Sequence, residues 1–337
     1  MSVLTTDEVL ASFEGIQTVA ICAHVNPDGD ALGSMLALAS LLRQKGCEVT
    51  CLLAQDRPAP GLYSFLENYD FVSACAYTDT PDLFIAVDVP ALSRLGDGEA
   101  VFNRALRSLC IDHHPNYSGF ADAYYGDDTA AATGTLIWSI IKASGANITP
   151  AMASYCYVAV MTDTGRFSYQ NTSERTFCDA AEMVACGVDP TLMSQCVYED
   201  KSLAVVKLES RLIERMKFSH QNRVVCSWVN EQDFEELGVS RDDTEGLPTI
   251  LRSIAGVEVA ALLRAEEGVV RVNLRSRGTC DVGQVAQNFG GGGHRAAAGI
   301  TFETTLEKSI ELLLGALDEI PCLNETTDES VAAAYES

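Results

Sequence analysis

The run Thr18-Val19-Ala20-Ile21-Cys22-Ala23-His24-Val25-Asn26-Pro27-Asp28-Gly29-Asp30 decides how this chain folds. Its first six residues are short, apolar and β-rich, and the Asn, Pro, Asp and Gly that come after them are turn formers. Residues 31–45 then have helical composition, with Gly46 placed to stop the helix. The reading is strand, loop, helix. The loop also sets one imidazole (His24) and two carboxylates (Asp28, Asp30) within seven positions. Such a cluster suits metal ligation as well as it suits a solvated turn.

Beyond this run, residues 49–53, 83–87 and 109–111 repeat the short, continuously apolar strand, the pattern of a parallel sheet covered on both faces. Helical stretches at 131–144, 151–161 and 176–186 supply the cover. Three further clusters come just after strands or helices: Asp88 in Ala86-Val87-Asp88, the triplet Asp112-His113-His114, and Asp163 in Met161-Thr162-Asp163-Thr164-Gly165. Open α/β sheets place their ligands at such positions. Residues 201–218 read as a charged connecting helix. Strands at 223–229, 257–264 and 269–274 and helices at 249–254, 282–289 and 305–317 form a smaller domain. The expected fold class is α/β: an N-terminal, mostly parallel sheet flanked by helices, plus a smaller C-terminal α/β domain. The expected division is 1–190, a helical linker 191–219, a second domain 220–320, and a disordered acidic tail 321–337.

Composition narrows the function. The 337 residues are 47% apolar and 21% charged, as in an ordinary globular protein. With 47 acidic against 23 basic side chains, the net charge of −24 argues against a long nucleic-acid partner held by counterion release. A short anion held locally remains compatible with it. The 12 cysteines are scattered singly with no C-x-x-C spacing, so buried reduced thiols are expected and a zinc knuckle is not. No basic segment followed by an apolar one opens the chain, and no apolar run approaches ~18 residues. A soluble cytoplasmic protein with no membrane partner is expected.

His24, Asp28, Asp30, Asp88, His113 and Asp163 form a mixed imidazole and carboxylate set suited to two divalent ions of the Mn²⁺ or Mg²⁺ type. The absence of Cys from the set disfavours structural zinc. Two ions ~3.5–4 Å apart that share one carboxylate can clamp the attacking and leaving oxygens of a phosphoryl displacement. Each cluster has an ordinary reading: turn chemistry for Asp28 and Asp30, a helix cap for Asp88, coincidence for the His pair, a helix end for Asp163. Four such coincidences at the edges of one sheet are implausible together. In the second domain, Phe289-Gly290-Gly291-Gly292-Gly293-His294-Arg295-Ala296-Ala297-Ala298-Gly299 allows backbone N–H groups to face a bound anion. The alternative is a flexible linker, which is rarely followed by such a small-residue run and another strand. Upstream, Asn273-Leu274-Arg275-Ser276-Arg277 ends a strand with two guanidiniums suited to phosphate, a solvated edge being the alternative.

The segments His24-Val25-Asn26-Pro27-Asp28-Gly29-Asp30-Ala31-Leu32-Gly33-Ser34, Asp112-His113-His114 and Gly290-Gly291-Gly292-Gly293-His294 stand in the order found in the DHH phosphoesterase superfamily. The chain resembles that superfamily over roughly residues 10–320, and the glycine-rich segment resembles its associated C-terminal domain. In size it is similar to the nanoRNase subfamily, bifunctional oligoribonucleases that also dephosphorylate 3′-phosphoadenosine 5′-phosphate (pAp). The resemblance implies that His24, Asp28 and Asp88 hold one metal and that Asp30, Asp88, His113 and Asp163 hold the other, with Asp88 bridging. It places His114 against the scissile phosphate and gives Asp112 an orienting role. It assigns substrate binding to Arg275, Ser276, Gly291, Gly292, Gly293 and His294, across a cleft between the domains. Gly134 in Ala132-Thr133-Gly134-Thr135 departs from the family pattern without touching a catalytic role, and Arg166 and Tyr169 read as surface residues near the site.

The resemblance also implies an enzyme, a hydrolase of phosphoester bonds using two divalent ions, Mn²⁺ first and Mg²⁺ as the alternative, to activate a hydroxide. Its expected substrates and partners are short RNA oligonucleotides (nanoRNA), cut to mononucleotides, and pAp or linear dinucleotides; a homodimer is compatible with it. The alternative within enzymes is a cyclic-dinucleotide or pApA phosphodiesterase. The alternative of another class is a non-catalytic RNA or nucleotide-binding module, since the second domain also resembles the C-terminal part of alanyl-tRNA synthetases. Retention of all six candidate ligands speaks against that.

Overall fold

Alternate residues of the short apolar strands bury on opposite faces of a sheet, and this organises the first of two units. The computed structural model describes residues 3–240, 244, 246–277 and 280–324. The chain divides into Met1–Asp200 and Lys201–Ser337. In the first unit α1 (Thr6–Ser12), β1 (Thr18–Cys22), α2 (Gly29–Gln44), β2 (Glu48–Leu53), β3 (Val72–Ser73), β4 (Leu83–Val87), α3 (Gly98–Phe102), β5 (Ser108–Asp112) and β6 (Ala123–Gly126) come first. Helices α4 (Thr133–Ala143), α5 (Pro150–Asp163), α6 (Glu174–Ala185) and α7 (Pro190–Ser194) complete it. The strand order is β3-β2-β1-β4-β5-β6 and every pair is parallel. Val19, Ile21, Ile85, Val87, Leu109 and Ile111 pack against α2, α4 and α5. Ala20, Cys22, Phe84, Ala86 and Cys110 pack on the other face with Leu95 and Val101. Burial on both faces is why these strands read as unbroken apolar runs.

This strand order has a switch point. From β1 the chain crosses towards β2, and β4 joins on β1's other side, so the connections leaving β1 and β4 diverge and open a crevice at their carboxyl ends. Helix α2 begins at Gly29 rather than at the expected residue 31, because Asp28 caps it, its Oδ1 accepting from the Ala31 N–H at 3.1 Å. Two glycines then let α2 lie close on α5. A Cβ on Gly29 would stand 2.5 Å from Thr162 Oγ1, and one on Gly33 would stand 2.4 Å from the Tyr155 carbonyl oxygen. Only hydrogen fits there. The close approach sets the C-terminal residue of α5, Asp163, beside the N-terminus of α2.

The second unit holds α8 (Leu203–Glu214), β7 (Lys217–Ser219), β8 (Val224–Asn230), α9 (Glu231–Leu237), α10 (Leu247–Arg252), β9 (Val259–Glu266) and β10 (Val269–Ser276). Then come α11 (Val282–Asn288), β11 (Gly292–His294), β12 (Ala297–Phe302), α12 (Leu306–Leu317) and α13 (Pro321–Asn324). Its sheet has the order β11-β12-β10-β9-β8-β7, with β8 and β9 parallel and the other pairs antiparallel. Helices α11 and α12 cover one face, and α8 and α10 the other. The helix expected over 201–218 ends at Glu214, because Lys217–Ser219 leaves it to pair with β8. One expectation is corrected outright: Cys280 and Cys322 are joined by a disulfide with their Cα atoms 6.0 Å apart, and the other ten cysteines are free. Their separation of 42 residues carries no motif that spacing could have revealed. Of the expected tail, 321–324 is helical, and 325–337 lies outside the described residues.

Candidate metal centre

His24 and Asp28 leave the end of β1, Asp30 lies in the first turn of α2, Asp88 follows β4, Asp112 ends β5, His113 and His114 come next, and Asp163 ends α5. All of these lie at the carboxyl-end crevice around the switch point. Asp88 reaches it through an uncommon backbone, φ +60°, and Asn26 in the β1 loop has φ +56°. A non-glycine residue in this region costs about 1–3 kcal/mol and persists only where its surroundings hold it.

The side chains fall into groups. His24 Nε2 is 3.9 Å from Asp28 Oδ1 and 3.4 Å from Asp88 Oδ2. His113 Nε2 is 3.8 Å from Asp30 Oδ2, 3.7 Å from Asp88 Oδ1 and 3.8 Å from Asp163 Oδ2. Asp88 thus turns one oxygen to each imidazole. Both rings are oriented from behind: His24 Nδ1 donates to the Val25 carbonyl at 2.8 Å and His113 Nδ1 to the Ala130 carbonyl at 3.2 Å. A carbonyl can only accept, so Nδ1 carries a hydrogen and Nε2 is the ring atom that faces the carboxylates, its lone pair available to a cation once its own proton is displaced.

Apart from the long His24–Asp88 contact at 3.4 Å, these N···O separations exceed hydrogen-bond length. They suit donors shared by a cation, since two donors each ~2.1 Å from one octahedral ion lie about 3 Å or more apart. Among the described residues, the groups that satisfy this are His24, Asp28 and Asp88; Asp30, His113 and Asp163; and Asp88, His113 and His114. A pair of divalent cations therefore fits the donors by type, number and spacing.

Electrostatics say the same. Burial, the Asp88 charge and other neighbouring carboxylates push Asp30 well above the usual carboxylate range. Burial, with Asp28 and Asp88, lifts Asp163 to about 6. Asp88 is also buried, but its hydrogen bond to His24 and the charges of the three imidazoles hold it far below that range. For His24, burial opposes charge, but the Asp88 hydrogen bond and the Asp28 and Asp88 charges outweigh it and set the ring at about 9. For His113, burial is likewise outweighed by Asp163, Asp30 and Asp88, again to about 9. Such a cluster of crowded carboxylates is a site that gains by holding cations.

Backbone and hydroxyl donors fix the carboxylates. The first N–H groups of α4 point at Asp30: Thr133 N donates to Oδ2 at 2.7 Å and Gly134 N to Oδ1 at 2.9 Å, while Ser34 Oγ donates to Oδ1 at 3.0 Å. Thr133 Oγ1 donates to Asp88 Oδ1 at 3.0 Å. Sequence reading missed Thr133 and Ser34 in these roles, although both stand beside the motif residues; Ser34 is one helical turn after Asp30, the spacing that brings side chains together. Beside the groups, fully buried Asp112 accepts from His114 Nδ1 at 2.7 Å. Burial opposes the charged form of His114, and the bond to Asp112 with the Asp88 charge raises its pKa all the same.

In the second unit the glycine-rich run differs from an anion cradle. Gly290, at φ +73°, ends α11, and the Gly291 N–H donates to the Ala286 carbonyl at 2.9 Å as part of that cap. Gly292 and Gly293 belong to β11, paired with Gly299 and Ala298. A Cβ on Gly291 would stand 2.1 Å from the Gly299 carbonyl oxygen, and one on Gly293 2.4 Å from that of Ala297, so close strand packing demands both glycines. Ser276 is buried, its Oγ 3.4 Å from the Arg295 carbonyl, which turns it away from solvent. Arg275 Nη1 donates to the Leu274 carbonyl at 3.0 Å. The side chain of His294 lies outside what the structure describes.

Residues 18–160 match the DHH family, N-terminal domain, and residues 221–320 match the DHHA1 domain. The chain is 28% identical over 295 residues to the bifunctional oligoribonuclease and PAP phosphatase NrnA of Bacillus subtilis, covering 87% of this chain and 91% of that one. It is 28% identical over 314 residues to the protein of the same description from Thermus thermophilus, covering 93% and 92%. Among solved structures it is similar to an exopolyphosphatase-related protein from Bacteroides fragilis, with a TM-score of 0.87 and 25% identity over 95% of this chain and 97% of the other.

Proposed function

We propose that this chain, which matches the DHH family, N-terminal domain, over residues 18–160 and the DHHA1 domain over 221–320, is a metal-dependent phosphoester hydrolase acting on short oligoribonucleotides and on pAp. The observation that carries the reading is the paired donor set, His24, Asp28 and Asp88 beside Asp30, His113 and Asp163, with Asp88 facing both imidazoles. Two divalent cations, Mn²⁺ by preference for a mixed imidazole and carboxylate set, would supply a water of lowered pKa and a clamp on the oxygens of the phosphoryl group. His24, Asp28 and Asp88 would hold one, and Asp30, Asp88, His113 and Asp163 the other.

The chain's own residues do the rest. Asp112 fixes the tautomer and orientation of His114, leaving Nε2 to hold a proton for the departing oxygen. Arg275 of the second unit offers a guanidinium, a cation well matched to a phosphate. With a net charge of −24 the protein favours short substrates, because local cations neutralise one or two phosphates without a basic track. The relatives named as oligoribonucleases and PAP phosphatases support the same substrates.

The test is product analysis by chromatography on end-labelled di- to pentanucleotide RNA, pAp, pApA and cyclic di-AMP, with Mn²⁺, Mg²⁺ or chelator. Mononucleotides from short RNA and AMP from pAp, lost with chelator and in Asp88→Asn, support the reading. Asn tolerates φ +60°, so that variant tests the carboxylate and not the backbone. Turnover of cyclic di-AMP or pApA alone would replace the substrate assignment, and full activity of Asp88→Asn would overturn the mechanism.

A further inference from the structure

Asp163 is the more exposed carboxylate of its group, its side chain 29% accessible against 1% for Asp30. It is the last residue of α5, and its carboxylate is held by a partner from beyond the helix. Among the described residues the donor within hydrogen-bond distance of that carboxylate is Asn171. Its Nδ2 lies 3.2 Å from Asp163 Oδ2, 3.1 Å from the Asp163 carbonyl and 2.9 Å from the Ala131 carbonyl. All three partners only accept, which identifies the amide nitrogen. With two hydrogens, the amide gives one to Ala131 and shares the other between the two oxygens of Asp163.

These bonds join both sides of one donor group. Ala131 adjoins Ala130, whose carbonyl orients His113, and lies two residues before Thr133, whose N–H holds Asp30. One amide therefore ties Asp163 to the segment that positions its two co-ligands. The chain accepts strain to bring Asn171 back: Gly165, Arg166 and Phe167 have φ of +54°, +61° and +60° in succession. Two of these are not glycine, and such backbone is kept where surrounding contacts over-determine it. Those contacts exist. The Phe167 ring lies 5.7 Å from both Tyr157 and Phe177, the Phe167 N–H donates to Thr164 Oγ1 at 3.1 Å, and the Arg166 guanidinium stacks 4.5 Å over Tyr198.

We propose that Asn171 is a positioning residue that fixes the Asp163 carboxylate, and so sets the divalent-cation affinity of the Asp30, His113 and Asp163 group without setting that of His24, Asp28 and Asp88. The inference rests on the two-cation reading of the site. Partners of this kind typically change metal affinity by about 10- to 100-fold.

The experiment is calorimetric titration of Mn²⁺ into the chelator-stripped full chain, for wild type, Asn171→Ala and Asn171→Asp, with melting temperatures recorded without metal. Wild type should take two Mn²⁺. Asn171→Ala should weaken one by about 10- to 100-fold and leave the other alone, with an unchanged metal-free melting temperature and activity restored by excess Mn²⁺. Asn171→Asp keeps the shape, removes the donor and repels the Asp163 carboxylate, and should change the affinity of the same step alone; it serves if the alanine variant does not fold. Two unchanged steps, or both weakened in parallel, overturn the proposal. A wild type that takes fewer than two Mn²⁺ overturns the two-cation reading and this inference with it.

Discussion

Replacing Gly33 by Ala tests whether the α2–α5 approach builds the site. In an exposed helix interior this substitution stabilises by about 1 kcal/mol. Here the new Cβ would stand 2.4 Å from the Tyr155 carbonyl oxygen and 3.2 Å from the Ala159 Cβ. Ordinary contact begins near 3.4 Å, so the helices must part by about 1 Å against a backbone atom that cannot rotate away. Overpacking of that kind costs about 3 kcal/mol, the upper end of the usual range, which leaves a net loss of about 2 kcal/mol after the propensity gain. Gly315 in α12 is the control, since a Cβ there meets nothing within 4 Å and Gly315→Ala should stabilise by about 1 kcal/mol. Each unit has one tryptophan, Trp138 in the first and Trp228 in the second. Urea unfolding followed by Trp138 fluorescence in a Trp228→Phe background therefore reads the Gly33 variant in the first unit alone, and Trp228 fluorescence in a Trp138→Phe background reads the Gly315 control in the second. Because Asp163 ends the displaced helix, Gly33→Ala should also weaken Mn²⁺ binding to the Asp30, His113 and Asp163 group. A stabilised Gly33→Ala protein with normal Mn²⁺ titration would refute the claim that close helix packing sets the donor geometry.

Thr133→Val keeps the shape but removes the hydroxyl bonded to Asp88; it should cost about 1–3 kcal/mol and weaken Mn²⁺ binding, and an unchanged titration would remove Thr133 from the site. Asp112→Asn should lower kcat on pAp by ~10²–10⁴-fold with little change in KM or Mn²⁺ stoichiometry; a wild-type kcat would show that His114 needs no orienting partner. In the second unit burial opposes ionisation of Asp233, yet hydrogen bonds from Arg215, the Asn230 N–H and Arg211 outweigh it and bring its pKa down to about 2. A depressed carboxylate pKa gives stability that is present above the unfolded value near 4 and is lost as pH falls through 2. That contribution is about 2 kcal/mol, so Trp228 fluorescence should show the second unit weakening over this window, and Asp233→Asn should flatten the change.

The parallel sheet was legible because burial on both faces writes itself into unbroken apolar runs such as Leu83–Val87. The candidate donors were legible because His24, Asp88 and His113 come just after such runs, where strand order alone brings them to one crevice, while Asp30 and Asp163 come with helices. Short or weakly apolar elements escaped. Gly292–His294 is a strand through its register with Ala297–Phe302, and glycines carry no β signal of their own. The Cys280–Cys322 bond joins residues brought together only by the second sheet's helices. Asn171 escaped for a different reason: its reach to Asp163 depends on a left-handed turn of three residues, and no periodicity announces such a turn.

All six strands of the first sheet are complete by Gly126, while Asp163 comes with a helix formed much later in the chain. A chain growing from its N-terminus would hold five of the six donors on a finished sheet and still lack the last, together with the α4 N–H groups that hold Asp30. The donor set closes only when α5 has docked against the glycines of α2. A cation that needs Asp163 binds the finished unit and none of its precursors, so by mass action its capture deepens the native state alone. The site is then a lock on the order of assembly, with its last tumbler cut into the end of α5.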